Sequence, residues 1–144
     1  MGSPGVILLD THGLLWLDRD DQALGPSSRE LIRSAWGNGS LAVSAISFWE
    51  VAMLAARGRI ELRQSAESWR SDWLGAGLEE IALAGSLAVA AAELADFHAD
   101  PADRFIAATA MAHGLLDHSR SVPTALAGAA ALPRRRDVTA FACR

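Results

Sequence analysis

Four large aliphatic residues, Val6-Ile7-Leu8-Leu9, run together and end at Asp10-Thr11. The run is too short for a core helix and lacks period-two alternation, so it reads as a buried central strand of an α/β sheet. Ligands in such folds sit beyond the carboxyl ends of the strands, which is where Asp10 stands. A carboxylate there is costly unless it is paired, protonated or bound to a cation. The next basic residue is Arg19. Two readings of Asp10 follow: a ligand of a cation, or a cap on the loop that leaves the strand.

The rest of the chain alternates strands with helices. His12 to Leu17 is an apolar turn or short helix. Ser27 with Glu30, and Ser47 with Glu50, have the spacing of capping boxes and predict helices that stop at Gly37-Asn38-Gly39 and near Gly58. Leu41 to Ser44 is the second strand and Leu78 to Leu83 the third. Ser65 with Ser68 opens a helix carrying Trp69 and Trp73, and Ser86 opens another. Asp100 followed by Pro101 marks the start of a helix that runs from Ala102 to His113. The order predicts a small three-layer α/β domain, with a mostly parallel sheet between helices, over residues 1–114. A fourth strand is expected after Gly114, but Leu115-Leu116 gives way to Asp117-His118-Ser119-Arg120, and residues 115–144 form a divergent tail.

At 144 residues, 51 % of them hydrophobic, the chain is one domain with enough length for a core. No apolar run approaches the roughly 18 residues of a membrane span, and the start lacks the basic segment of a signal peptide. A cytoplasmic protein is expected. The single Cys143 excludes an internal disulfide framework and a cysteine zinc site. The net charge of −4 disfavours a globally basic nucleic-acid binder, though local arrangement matters more than the total. All 13 basic residues are arginine, a pattern that GC-rich coding produces as readily as phosphate binding does.

Three acids stand at element junctions: Asp10 after the first strand, Glu50 one turn past the second, and Asp103 in the first turn of the helix after Pro101. Each has a structural alternative, namely a loop cap for Asp10, a capping-box partner for Glu50 and a favourable helix-dipole position for Asp103. Asp100 is read chiefly as a helix cap, and Arg104 as a partner for either aspartate or for a phosphate. Together the acids fit a hard divalent ion, Mg²⁺ or Mn²⁺, whose bound water hydrolyses a phosphodiester. His12, His98, His113 and His118 have no zinc-like spacing and are read as surface or structural residues.

The stretches Leu8-Leu9-Asp10-Thr11-His12-Gly13-Leu14-Leu15-Trp16, Val43-Ser44-Ala45-Ile46-Ser47-Phe48-Trp49-Glu50-Val51, Gly58-Arg59-Ile60-Glu61-Leu62 and His98-Ala99-Asp100-Pro101-Ala102-Asp103-Arg104-Phe105-Ile106 occur in that order. In this the chain resembles the PIN-domain family, specifically the VapC-type toxins of bacterial type II toxin–antitoxin pairs. The resemblance implies a Mg²⁺-dependent endoribonuclease, a homodimer, and a cognate VapB-like antitoxin lying in the active-site groove. It places metal-binding carboxylates at Asp10, Glu50 and Asp103, with Asp100 as an extra acid. Thr11 and Ser47 become polar support, and Trp49 packs against and positions Glu50. Trp36, Trp69 and Trp73 are candidates for a dimer surface.

The chain departs from the family pattern at one place. The family's fourth Asp falls at position 120, where this chain has Arg120; Asp117 lies three residues early and would need a local rearrangement to serve as the metal ligand in its place. Bases encoding residues 114–121 exist that, read one base later, give Gly-Tyr-Leu-Ile-Thr-Ala-Asp-Arg, the missing strand and acid. A frameshift near residue 114 is therefore expected. The alternative function is a catalytically impaired PIN-fold protein that still dimerises or binds the antitoxin. A dehalogenase-type phosphatase is disfavoured because His12 stands where its second Asp belongs, and no glycine-rich loop supports a dinucleotide site.

Overall fold

The computed structural model describes residues 6–94 and 100–113. Its sheet holds β1 (Ile7–Leu9), β2 (Leu41–Ser44) and β3 (Glu79–Ile81), all parallel, in the order β1-β2-β3. Leu9 pairs with Val43, and Val43 with Glu80. Six helices complete the described fold: α1 (Thr11–Arg19), α2 (Pro26–Gly37), α3 (Ala45–Ala56), α4 (Ala66–Gly75), α5 (Gly85–Ala92) and α6 (Pro101–Ala112). They flank the sheet in the three-layer arrangement that the alternation of elements predicts. Among the described residues, no helix is long and apolar enough to cross a membrane.

β1 is buried throughout, as its unbroken apolar run requires, yet β2 is the middle one of the three described strands. Burial on both faces tells how a strand is covered, not where it stands in the sheet. The fourth strand expected after Gly114, Asp117 and Arg120 lie outside the described residues, as do His98 and His118.

The core joins Leu9, Leu14, Ile32, Leu41, Val43 and Ile106, all essentially inaccessible. Beside it Trp73 packs against Trp36 and Trp69 at centroid distances of 5.1 and 6.3 Å. Trp69 and Trp73 are buried, Trp36 is half-buried, and Trp73 Nε1 donates to Asp18 while Trp36 Nε1 donates to the Ala76 carbonyl. Of the three candidates for a dimer surface, Trp69 and Trp73 are internal packing, and Trp36 is half-buried against them. Gly77 holds φ +108° beside Trp36; a Cβ there would meet Nε1 at 3.6 Å, an ordinary contact, so it is the left-handed backbone and not the space that calls for glycine.

Some helix starts match the expected caps and others lie upstream of them. Ser65 caps α4 through the Ser68 N–H and Asp100 caps α6 through the Ala102 N–H, as the sequence indicates. For α2 the cap position is Gly25 with Pro26 at the first helical position, so Ser27 lies inside the helix. α5 begins at Gly85 after Ala84, without a side-chain cap, so Ser86 does not open it. For α3 the cap is Ser44, the last residue of β2, whose Oγ accepts from the Ile46 N–H at 3.2 Å. Strand and helix meet there with no loop, and Ser47 with Glu50 does not open the helix as a capping box.

Candidate metal and catalytic site

The site begins at the carboxyl ends of β1 and β2. Asp10 leaves β1 and caps α1, its Oδ1 accepting from the Gly13 N–H at 2.7 Å. Both readings of Asp10 started from its place at the strand end; the cap is now an observed contact. Only 3 % of Asp10 is exposed, so its carboxylate is held in a dry place by a backbone donor. Thr11, also buried, donates through Oγ1 to Ser47 Oγ at 3.0 Å. This bond ties the start of α1 to the first turn of α3, and so ties the two strand ends together. Ser47 is thus a buried hydroxyl beside Asp10's helix. Ser44, three residues earlier, is a buried cap that the family motif does not single out. The signal for it was present: a strand running straight into a helix needs a capping side chain at the junction.

Glu50 is half-buried on α3, one turn beyond Ser47 and on the same face. Because α3 starts at Ala45, Glu50 lies in the second turn, about 4.5 Å further along the axis than a helix opened by Ser47 would put it. Trp49, expected to pack against and position Glu50, is instead 52 % exposed. Adjacent helical residues point about 100° apart, so the inward turn of Ser47 and Val51 sends Trp49 outward.

Asp103 is half-buried in the first turn of α6. It continues the stripe of Ile106, Ala107 and Ala110, which packs into the core, and α6 lies against both α3 and β2. Asp100 is exposed and has the extended backbone of a cap, so it does not share a helical face with Asp103. Arg104 donates through Nη1 to the Ala91 and Leu94 carbonyls at 2.9 and 3.2 Å, fastening α6 to the carboxyl end of α5, where a cation suits the helix dipole. His12 is exposed beside Trp16, and His113 is an exposed C-cap.

The structure therefore joins Asp10, Thr11, Ser44 and Ser47 at one rim, and sets Glu50 and Asp103 on the inward-facing stripes of two helices packed together. The donors are hard oxygens, the type that Mg²⁺ and Mn²⁺ select. The arrangement is less complete than the donor set: among the described residues, no group of three or more His, Cys, Asp or Glu side chains converges closely enough to hold a metal ion. Asp117, the other acid considered as a ligand, is outside them.

The PIN domain family profile matches residues 7–116. The chain belongs to the PIN domain family. It is also 38 % identical over 109 residues to Ribonuclease VapC22 of Mycobacterium tuberculosis, a match covering 75 % of this chain and 81 % of that protein. This PIN domain is thus related to the VapC-type toxins. No solved structure gives a significant match.

Proposed function

We propose that this PIN domain is the toxin-side member of a type II toxin–antitoxin pair whose ribonuclease chemistry is impaired, while the surfaces that meet a VapB-like antitoxin and a second copy are kept. The observation carrying this reading is that the acids at Asp10, Glu50 and Asp103 do not form a three-ligand group among the described residues. The sequence adds a reason, since Arg120 stands where the family's fourth Asp belongs. When bound, Mg²⁺ would supply an activated water for attack on a phosphodiester. The chain's own contribution is to fix the Asp10 carboxylate through the Gly13 N–H and to brace it through Thr11 and Ser47.

Residues 115–144 are proposed to be a frameshifted tail on a domain core of residues 1–114. A single-base change near codon 114 that restores Gly-Tyr-Leu-Ile-Thr-Ala-Asp-Arg would return the strand and the acid together. An intact ribonuclease is the second reading, favoured by the 38 % identity to a protein named as a ribonuclease.

Expression in a bacterial host separates the two. The present chain is expected to leave growth unchanged, and the frame-restored version to arrest it. Co-expressing the present chain with the restored version and its cognate antitoxin is expected to release toxicity, because the inactive copy sequesters antitoxin. Growth arrest by the present chain, abolished by Asp10→Asn, would replace the impaired reading with the active one. Failure to release toxicity would remove the antitoxin-binding part.

A further inference from the structure

Away from the acids, the far ends of α1 and α3 enclose a second feature. The carboxyl end of α1, residues 58–64 and the start of α4 border a groove of about 900 Å³. Arg19, Arg59 and Arg63 line it, and Arg57, the C-cap of α3, adjoins it. All four are exposed. Arg29 pairs with Asp20, and Arg70 with Glu67 and Glu80, but among the described residues no carboxylate forms an ion pair with any of these four. Asp18 and Glu61 also line the groove. Asp18 accepts from Trp73 Nε1, and the Glu61 carbonyl accepts weakly from Arg19 at 3.4 Å. Four guanidiniums therefore gather at one end of a molecule whose net charge is −4.

The backbone holds them out. In the segment from Arg59 to Arg63, the charged residues at 59, 61 and 63 are exposed, while Ile60 and Leu62 are half-buried against the core. The apolar positions pin the segment, and the arginines project from it. The groove's aromatic floor, Trp69, is only 5 % exposed, so an apolar helix would find little surface to cover. A flexible, repeatedly anionic chain fits better, because each guanidinium fork engages two oxygens of a phosphate. α1 has nine residues, which puts its carboxyl end about 13 Å from the cap at Asp10. The groove is thus separate from the acidic site.

We infer that this arginine groove binds the phosphodiester backbone of single-stranded RNA, independently of catalysis. Preferring RNA to an acidic protein segment rests on the ribonuclease ancestry within the function proposed above, since impaired metal chemistry leaves RNA binding intact; the arginine cluster itself does not rest on it. Backbone contacts of this kind set affinity and orientation without reading sequence.

The test uses the full chain, a fluorescein-labelled oligouridine and EDTA, so that binding is read by anisotropy with no cleavage. Arg59→Ala/Arg63→Ala is compared with Arg33→Ala, an exposed control on α2, after circular dichroism confirms the folds. The double variant is expected to bind about tenfold more weakly at low salt. Its log K against log salt slope should be shallower by roughly 1.4, because each phosphate it no longer engages on a single strand is worth about 0.7. Arg59→Lys/Arg63→Lys should keep most of the slope, because charge is retained while the fork is lost. Arg33→Ala should match the parent. Unchanged binding by the Ala double variant, no binding of oligouridine by the parent at low salt, or saturable binding of poly-glutamate in place of RNA each overturns the inference. Binding without cleavage when Mg²⁺ is restored supports both this inference and the impaired reading, whereas binding with cleavage overturns the impaired reading and leaves this inference standing.

Discussion

Replacing Asp10 separates the two roles of one carboxylate. As the cap of α1 it accepts from the Gly13 N–H at 2.7 Å in a site only 3 % exposed. Asp10→Ala removes the acceptor and leaves that N–H buried without it. Loss of an N-cap costs about 1 kcal/mol, and an unsatisfied buried donor about 1–3 kcal/mol, so about 2 kcal/mol of stability should go. Asparagine caps about as well as aspartate, so Asp10→Asn should stay within roughly 0.5 kcal/mol of the parent while losing the charge. Urea unfolding followed by tryptophan fluorescence reads this well, because the Trp36, Trp69 and Trp73 cluster is packed in or against the core. The same titration tests the metal. An ion bound only by the folded state, at ten times its Kd, adds about 1.4 kcal/mol. At an ion concentration ten times the Kd of an intact site, the account predicts a smaller gain for the parent, and none for Asp10→Asn. Alanine as stable as the parent would refute the capping argument, and asparagine as damaging as alanine would show that the charge, not the cap, holds α1.

Three further outcomes follow from individual side chains. Ser47→Ala removes the acceptor of the buried Thr11 hydroxyl and should cost about 1–3 kcal/mol, whereas Thr11→Val with Ser47→Ala should recover much of the loss in a double-mutant cycle by urea unfolding. Two hydrogen bonds from Arg70, at 2.6 and 2.8 Å, hold the Glu80 carboxyl below the ordinary glutamate range, against partial burial that pushes it up. A depressed carboxylate stabilises the fold above its unfolded pKa, and that contribution is lost as pH falls through its folded value. Glu80→Gln should therefore destabilise at neutral pH, with the difference from the parent closing once pH falls below the ordinary glutamate range. Equal destabilisation at all pH values would contradict the ion-pair account. Trp49, half exposed on α3, should contribute to self-association if the chain dimerises as its family resemblance implies: Trp49→Ser is expected to lower the dimer fraction in sedimentation without altering circular dichroism.

Much of the fold was legible because it rests on local chemistry. The apolar runs ending at Leu9 and Ser44 read as buried strands and form β1 (Ile7–Leu9) and β2 (Leu41–Ser44), and Asp100-Pro101 and Ser65 through Ser68 place two helix starts correctly. Two of the misread starts, those of α2 and α3, share one cause. Ser-x-x-Glu spacing recurs by chance in a chain rich in serine, and a residue further upstream that ends a strand or precedes proline takes the cap first. Ser44 did so for α3, and Gly25-Pro26 for α2. Sequence placed the acids on the correct elements, but not at the distances that make a ligand group. Spacing along a helix fixes which face a side chain takes, whereas convergence depends on how α3 and α6 pack against the sheet. The exposed Trp49 and the buried Trp69 and Trp73 show the same limit, since size and aromaticity alone do not tell interior from surface.

The central claim is that this PIN domain keeps its fold but has an impaired metal site. Its most direct test is RNA cleavage by the purified chain with Mg²⁺ or Mn²⁺, beside the frame-restored version, Asp10→Asn and an EDTA control. The account predicts no metal-dependent cleavage by the present chain and cleavage by the restored one. Metal-dependent cleavage by the present chain, lost in Asp10→Asn, would contradict it and make Asp10, Glu50 and Asp103 a sufficient catalytic set.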